Sequence, residues 1–474
     1  MHSALPARKD NAFLFRDHTD YIECCLNQAR YNLCHFGSIN EIEQNEIDIN
    51  MYENLHDLEE LKDVCILDKK FLTDADRVRA FQCIFEGKLF SEHAFAGEAT
   101  RLGLGTKYLI NISRDLSIDK ITELISREKG VTISKEEVLL QSGCYPEELL
   151  PLSLGTRHML QFSFDIVKLA KKYNHDPKKV LSNQKMLIVL NELSSNQIIN
   201  EFMENRFFGF DRDNIFFMVQ EAYHGINIVN GRFIYDETSP KRLHNHGQLA
   251  MQQTMDYQIF IINNKGQRSY LTSDEFGETL KPMDDKVSHN VEDLGYLIES
   301  ADHEALALAL KKGKDGYRML MEIVNNNSHN PQKGGMAAFD NKLGRNVIIE
   351  GFRLKSIKNH EIKFLNKNFN HYPKPYESWL LLKEYGLNMP VSIKNGYIYY
   401  QPVQGDINFL VKTEFFRRKK INPINAWKSL SSTPLAIKFM RLQDLQTGFK
   451  EYSSSLIGSS KRSMISSFKL KAHA

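Results

Sequence analysis

The stretch that decides the fold runs from residue 155 to residue 219 and contains four segments: GTRHMLQFSFDIVKLAKKY (155–173), KMLIVL (185–190), SSNQIINEFMENR (194–206) and IFFMV (215–219). The first and third segments have the length and apolar spacing of amphipathic helices. The second and fourth are short apolar runs, which are typical of strands buried on both faces. Helices that alternate with such strands predict an α/β protein with a parallel, doubly wound sheet.

Further apolar runs extend this sheet toward the C-terminus. We predict strands in YQIFIIN (257–263), LGYLIES (294–300), GGMAAF (334–339) and NVIIEGF (346–352), and a helix over residues 303–311. The layer therefore continues to about residue 365.

Changes in composition divide the chain into three parts. Residues 1–90 are predicted to form a helical N-terminal region, residues 91–380 the core, and residues 381–474 a C-terminal region. A polar, helix-prone insertion interrupts the core at about 110–150. The N-terminal region ends in a helix with apolar residues at helical spacing, and Asp74 or Asp76 is expected to cap it. The apolar residues of this helix are Val78, Phe81, Ile84 and Phe85.

The overall composition is that of a globular protein with balanced charge. The 474 residues include 61 Lys+Arg and 59 Asp+Glu, and 42% of them are hydrophobic. This balance excludes a nucleic-acid binder driven by bulk charge alone, so no nucleic-acid partner is expected. The chain has no apolar run long enough for a transmembrane helix and no secretory signal, which predicts a cytoplasmic protein.

All cysteines fall in the first third of the chain, and none forms a C-x-x-C pair. We interpret them as reduced and mostly buried thiols, with a redox-active Cys24–Cys25 pair as the alternative. The six positions are Cys24, Cys25, Cys34, Cys65, Cys83 and Cys144.

The C-terminus forms a basic appendage. RRKK occupies residues 417–420, and residues 453–474 hold eight serines and four Lys/Arg but no acidic residue. Two interpretations stay open, a solvated tail and a tail that contacts a protein partner, a membrane or nucleic acid.

The loop AGEATRLG at residues 96–103, followed by Lys107, has the residue types of a phosphate site. Glycine lets backbone N–H groups approach phosphate oxygens closely. Arg101 offers a fixed fork of donors, and Lys107 adds a mobile positive charge. The alternative is a plain connection between a strand and a helix.

FAGEATRLG at residues 95–103, together with Lys107 and the preceding EGKLF, resembles the glycine-rich signature of the UDP-sugar pyrophosphorylase family. The resemblance implies a Rossmann-like nucleotidyltransferase core, a mixed sheet flanked by helices, with a small C-terminal domain. It also implies the reaction of UTP with a sugar-1-phosphate, assisted by Mg²⁺, to give UDP-sugar and pyrophosphate. Arg101 and Lys107 would be catalytic, and Gly97, Thr100 and Gly103 would hold the nucleotide.

Two later motifs resemble the family's uridine-binding segments. FFGFDRDNIFFMVQ (207–220) would place Gln220 against uracil, where an amide can pair with both a donor and an acceptor. The stretch NHGQ (245–248) resembles the family's G-H-G-D, which implies that His246 and Gly247 contact uridine. The alternative for the histidines is a metal pair of His244 and His246, although no third ligand follows at a recognisable spacing.

The remaining motifs resemble the family's metal and sugar segments. NVEDLG (290–295) implies Glu292 as a ligand of Mg²⁺, because hard cations bind carboxylate oxygens. The KGG at 333–335 implies that Gly335 binds the sugar. Glu350 and Asn370 would bind the sugar in the same way, by resemblance to the family's later glutamate and F-N pair.

The chain also departs from the family's pattern. Ala96 and Ala99 occupy glycine positions, where each Cβ is expected to widen the loop, and Gln404 occupies the position of a second lysine, for which Lys412 is a substitute candidate. Two other functions therefore stay open. One is uridine-nucleotide binding without turnover, in a regulatory or interaction role, and the other is transfer from UTP or a UDP-sugar to another acceptor.

Overall fold

The computed structural model describes residues 18–50, 58–68, 71–97, 102–326, 334–353, 358–419 and 426–458, together with residues 462, 465 and 468. Most of the predicted basic tail lies outside these residues. In the described part of the chain, a 13-stranded mixed sheet lies beside a four-stranded antiparallel sheet.

The strands are numbered in chain order as follows: β1 Leu58–Glu59, β2 Cys65–Leu67, β3 Leu89–Ala94, β4 Lys185–Asn191, β5 Ile215–Gln220, β6 Ile226–Val229, β7 Arg232–Tyr235, β8 Ile259–Ile262, β9 Arg268–Leu271, β10 Asp285–Asn290, β11 Met319–Asn325, β12 Met336–Asp340, β13 Arg345–Ile349, β14 Phe364–Pro373, β15 Val391–Lys394, β16 Tyr397–Tyr400 and β17 Thr413–Arg418.

The helices are α1 His18–Asn32, α2 Ile39–Gln44, α3 Glu46–Asn50, α4 Asp74–Phe85, α5 Ile112–Asp115, α6 Ile118–Lys129, α7 Lys135–Ser142, α8 Leu154–Lys172, α9 Pro177–Asn183, α10 Ser195–Glu204, α11 Gly247–Gln252, α12 Ser273–Leu280, α13 His303–Lys314, α14 Pro375–Tyr385, α15 Ile407–Leu410, α16 Thr433–Asp444 and α17 Phe449–Leu456.

Four neighbouring strands in the centre of the large sheet are parallel, in the order β10-β3-β4-β5. Antiparallel strands β14 and β8 flank them. The predicted parallel sheet is therefore confirmed in its centre, and the sheet as a whole is mixed. The carboxyl ends of the four parallel strands lie side by side, and we call this row the carboxyl edge; it consists of Asn290, Ala94, Asn191, Gln220 and the loops that follow them.

The apolar run in β4 is buried because both faces of the sheet are covered. Met186, Ile188 and Leu190 belong to the core cluster that includes α8 and α13. Leu187 and Val189 belong to the cluster of α11, α12 and α14 on the other face. Alternate side chains of a strand point to opposite faces, so only an apolar run satisfies both cores.

The insertion at 110–150 is helical, as predicted, and consists largely of α5, α6 and α7. The division of the chain at residues 90 and 380 stays a prediction. All six cysteines are free thiols, and all but Cys34 are buried. Burial raises the pKa of the Cys25 thiol, which disfavours the reactive thiolate of a redox pair. No helix in the described residues is both long and apolar enough to cross a bilayer.

Two local predictions are corrected. The segment LGYLIES is not a strand, because Leu294–Leu297 forms a 3₁₀ helix in which Asp293 accepts a hydrogen bond from the N–H of Gly295. The N-cap of α4 is Thr73, whose hydroxyl accepts from the N–H of Asp76 while the Asp76 carboxylate accepts from the N–H of Thr73. Asp76 thus completes a capping box but is not the cap.

The C-terminal region is anchored to the core by a buried ion pair. The Arg157 guanidinium in α8 contacts the Asp444 carboxylate in α16 at 2.6 and 3.1 Å, and both side chains are almost fully buried. The same guanidinium donates to the Leu150 carbonyl at 2.7 Å. Because a buried charge is costly without its partner, this pair fixes α16 against α8.

We expect Asp444→Ala to lower the free energy of unfolding by about 3–5 kcal/mol, because it leaves the Arg157 charge buried without its partner. The matched control is Glu278→Ala, which removes an exposed pair with Lys281 and should cost less than about 1 kcal/mol. Urea unfolding measures both values. Equal stabilities for the two variants would contradict the anchoring role of α16.

Candidate functional site

The carboxyl edge brings several of the predicted site residues together. Gly97 follows β3, Lys107 follows the same loop, Glu292 follows β10 and Gln220 ends β5. These strands are parallel neighbours, so their ends open into one crevice, which is where open α/β sheets bind ligands. Thr100 and Arg101 lie outside the described residues, as do Glu98, Ala99 and Lys333.

Asn191 is not among the predicted site residues, and it bonds the glycine loop to the end of β4. Its Nδ2 donates to the Ala96 carbonyl at 3.0 Å and to Thr106 Oγ1 at 3.4 Å. Its Oδ1 accepts from the N–H of Ser194 at 2.8 Å and from the Ser194 hydroxyl at 2.7 Å. One buried amide therefore joins the loop to the turn before α10. An asparagine directly after an apolar strand is the signal that points to such a role.

The ends of the loop are held close to each other. The N–H of Lys107 donates to the carbonyl of Gly97 at 3.1 Å. Gly103 adopts a positive φ of 65°, which favours glycine over residues with a Cβ. Ala96 is buried among apolar residues of the core. Its methyl group therefore packs into the core, and the expected widening of the loop stays a prediction because residues 98–101 lie outside the described residues.

Glu292 lies between two lysines. Lys107 Nζ contacts its Oε2, and Lys428 Nζ lies 3.2 Å from its Oε1. Burial opposes ionisation of this carboxyl, but the ammonium groups of Lys428 and Lys107 outweigh the burial and hold its pKa below the ordinary value. Lys428 comes from the C-terminal region and was missed by the sequence analysis, because no spacing rule relates residue 428 to residue 292.

The surroundings of Glu292 do not fit a magnesium ion held by the protein. Both carboxylate oxygens already face an ammonium group, so a Mg²⁺ ion at Glu292 would have to displace a lysine or share a carboxylate oxygen with it. Among the described residues, no group of three or more His, Cys, Asp or Glu side chains is placed to hold a metal ion. The two ammonium groups around this one carboxylate leave a formal charge of +1 at the carboxyl edge.

The predicted uridine residues form the adjacent part of the crevice. Gln220 Nε2 donates to the carbonyl of Asn245 at 3.3 Å. His246 Nδ1 accepts from the N–H of Gln404 at 3.1 Å, and the N–H of Gly247 donates to the carbonyl of Pro402 at 2.9 Å. These bonds connect the end of β5, the start of α11 and the segment that follows β16.

His244 and His246 do not form a metal pair in this arrangement. The His244 ring is buried, and its Nδ1 is hydrogen-bonded to the Tyr21 hydroxyl at 2.9 Å. Burial lowers the pKa of His244 to about 3, so the ring is neutral at physiological pH. The Nδ1 atoms of both histidines are therefore used in contacts within the protein, while His244 Nε2 is buried without a hydrogen-bond partner among the described residues.

A cavity of about 720 Å³ opens beside Gln220. It reaches from the carboxyl edge to the four-stranded sheet, and its volume suits a small-molecule ligand. Basic and aromatic side chains face it from several elements, together with amides at the ends of β4 and β5. The lining includes Asn191, Gln220, Arg242, Asn245, Lys394 and Tyr399.

The predicted sugar residues lie toward the other side of the crevice. Gly335 faces Glu350, since a Cβ at residue 335 would come within 3.0 Å of Glu350 Oε1. Burial and the neighbouring Asp406 raise the pKa of Glu350, while Arg353 and Lys428 oppose that shift. Asn370 lies within β14. Its side chain is buried, and its Oδ1 has no hydrogen-bond partner among the described residues.

The structure also shows the contacts of Gln404, which occupies the position of a second lysine, and of Lys412, its substitute candidate. Gln404 Nε2 donates to the buried Glu92 carboxylate at 3.4 Å, so this residue contributes no charge to the site. Lys412 precedes β17, which runs in the same direction as β10, so it lies at the opposite edge of the sheet. There its Nζ donates to the carbonyl of Asp315 at 3.1 Å. Lys412 therefore does not replace the missing lysine.

No protein-family model matches the sequence, and no curated protein matches it. Solved structures share its fold. The uridine diphosphate N-acetylglucosamine pyrophosphorylase from Trypanosoma brucei, in complex with an inhibitor, has a TM-score of 0.59 at 12% identity, over 87% of this chain and 77% of that chain. A variant of UDP-glucose pyrophosphorylase from Leishmania major, in complex with UDP-Glc, has a TM-score of 0.50 at 12% identity, over 88% and 78%. The predicted nucleotidyltransferase fold is confirmed.

Gly247→Ala should disrupt the uridine side of the crevice. A Cβ at this position would lie 2.3 Å from the backbone carbon of Pro402 and 2.4 Å from the nitrogen of Val403. Because backbone has to shift, we expect a loss of about 1–3 kcal/mol in the free energy of unfolding. Gly37→Ala is the control, since its Cβ would make only an ordinary 3.6 Å contact. Thermal unfolding of both variants measures the difference, and equal melting temperatures would contradict the close approach.

Proposed function

We propose that this protein is a uridylyltransferase that forms UDP-sugar and pyrophosphate from UTP and a sugar-1-phosphate. One observation carries the proposal: the cation Lys107 and the amide Gln220 lie on the same edge of the sheet. Asn191 lies beside Gln220 and is bonded to the glycine loop that precedes Lys107. A triphosphate and a pyrimidine are joined in one ligand, so their binding groups must share one crevice. The likeness to UDP-sugar pyrophosphorylases supports this choice at the level of the fold.

The reaction needs no covalent intermediate on the protein. An oxygen of the sugar-1-phosphate attacks the α-phosphorus of UTP in line, an O–P bond forms, and the bond from the α-phosphorus to the β-phosphate oxygen breaks. Pyrophosphate leaves with that electron pair. The protein contributes positioning and positive charge on the departing group, for which Lys107 and Arg101 are assigned.

Gln220 is assigned to the uracil edge. Its amide nitrogen carries two hydrogens, so the bond to Asn245 leaves one hydrogen and the amide oxygen for a ligand. Uracil presents an N–H donor beside carbonyl acceptors, and this amide can pair with one of each. Gly97, Thr100 and Gly103 would face the phosphates, His246 and Gly247 the uridine, and Gly335, Glu350 and Asn370 the sugar.

A second function is favoured by a specific contact, namely uridine-nucleotide binding without turnover. The Lys107 ammonium is already paired with Glu292, and the uncharged Gln404 supplies no second cation. A site that binds phosphates but stabilises the leaving group poorly would serve as a sensor or an interaction module. The two functions share the crevice and differ in the rate of the chemical step.

The direct test incubates the purified protein with UTP, Mg²⁺ and a panel of sugar-1-phosphates, and measures pyrophosphate release. Release with one sugar phosphate supports the transferase. A rise in melting temperature with UTP but no release, in a folded protein, favours the binding function, since a ligand stabilises by RT ln(1 + [L]/Kd). If UTP neither stabilises the protein nor leads to pyrophosphate release, both functions are refuted.

Gln220→Leu should weaken the preference for uracil over other bases, because the uracil edge would be buried without a partner. We expect a loss of about 1–3 kcal/mol, which is about 5- to 150-fold in the Kd of UTP, with a smaller effect on other nucleoside triphosphates. Gln267→Leu, at an exposed position, is the control. Unchanged UTP affinity in Gln220→Leu would remove the residue from the base site.

A further inference from the structure

A segment of the C-terminal region, residues 426–428, is attached to the loop that follows β10. Ala426 forms an antiparallel bridge with Asp293, and the N–H of Trp427 donates to the carbonyl of Glu292 at 2.9 Å. The indole of Trp427 is fully buried, and its Nε1 donates to Thr433 Oγ1 at 3.1 Å. The backbone that carries Lys428 is therefore fixed against the site.

The next residues of this segment are also held in place. The N–H groups of Leu430 and Ser431 donate to the two carboxylate oxygens of Glu128 at 3.0 and 2.7 Å. Glu128 belongs to α6 of the insertion. The segment that contains Leu430 and Ser431 leads directly into α16. Lys428 thus projects from a segment that is anchored on both sides, unlike a side chain on a free tail.

The ammonium of Lys428 is close to one glutamate of the crevice and acts electrostatically on a second one. It is 3.2 Å from Glu292 Oε1, and its charge also acts on Glu350, the residue predicted to contact the sugar. Two lysines and one glutamate give the cluster of Lys107, Glu292 and Lys428 a formal charge of +1. We call these three residues the lysine cluster.

We propose that Lys428 is a second phosphate-binding lysine of the site, beside Lys107, and that the lysine cluster binds phosphate groups without a divalent cation held by Glu292. Glu292 orients the two ammonium groups, and an incoming phosphate shares them. Lys428 would supply, from elsewhere in the chain, the charge that Gln404 lacks. The identification of the ligand as the pyrophosphate part of UTP rests on the proposed function.

The test uses inorganic pyrophosphate and the full chain in EDTA, with the melting temperature as readout. Wild type should be stabilised, and Lys428→Met should raise the Kd of pyrophosphate by about tenfold or more, because one charge-assisted contact is lost. Lys428→Arg should retain part of the effect. Lys438→Met removes an exposed lysine of the same region and should behave like wild type. Absence of stabilisation in EDTA, or equal Kd in Lys428→Met and wild type, would overturn the proposal.

The variant Glu292→Gln distinguishes between two roles of Glu292, as the partner that orients the lysines and as a ligand of a metal ion. The substitution raises the formal charge of the lysine cluster from +1 to +2. An anchor therefore predicts pyrophosphate binding at least as tight as in wild type, with or without Mg²⁺. A metal ligand predicts that Mg²⁺ strengthens binding in wild type and that Glu292→Gln loses this gain, a result that would overturn the proposal.

UMP in the same assay distinguishes failure of this inference from failure of the proposed function. UMP needs the uridine side of the crevice but not Lys428. If UMP does not bind and no sugar phosphate gives release, while pyrophosphate binding still depends on Lys428, the transferase fails and the cation site stands. If Lys428→Met forms UDP-sugar as wild type does, the cation site fails and the transferase stands.

Discussion

The parallel alignment of β10, β3, β4 and β5 is the constraint on which the rest of the site depends. Each strand is buried on both faces, so its side chains are committed to packing and only the ends of the strands are available for chemistry. Parallel pairing puts those ends in one row, with Asn191 opposite Gln220 in the register of β4 and β5. Residues far apart in sequence, such as Gly97 and Glu292, then become neighbours.

Two buried glutamates of this crevice, Glu92 and Glu292, are paired with lysines. Glu92 lies under the site with Lys286 Nζ at 3.0 Å, and Glu292 faces Lys107 and Lys428. Ionised groups removed from water require such partners. The two glutamates leave different net charges. The Glu92 pair is closed to solvent and neutral, whereas Glu292 holds two lysines at the open edge. Only the latter arrangement leaves net positive charge for a ligand.

The sequence predicted those parts of the fold that are encoded locally. The apolar run of β4 and the periodicity of α8 depend on residues within the same segment, so they could be recognised without the partner elements. LGYLIES failed because its apolar side chains are buried in a 3₁₀ turn, and hydrophobicity alone does not distinguish that burial from a strand. Glycines and cations of the loop could be singled out because they lie close together in sequence, and their role at phosphates stays a prediction.

The remaining site residues could not be predicted because their roles arise from contacts between distant segments. Asn191 acts on a loop that begins with residue 96, and Lys428 acts on Glu292 across the chain. Such contacts exist only after the sheet is assembled and α16 is docked on α8. The charge of the lysine cluster therefore depends on the same ion pair, Arg157 with Asp444, that anchors the C-terminal region. Detachment of that region would remove Lys428 and return the cluster to a neutral pair, so the docking of α16 and the charge at this edge are coupled.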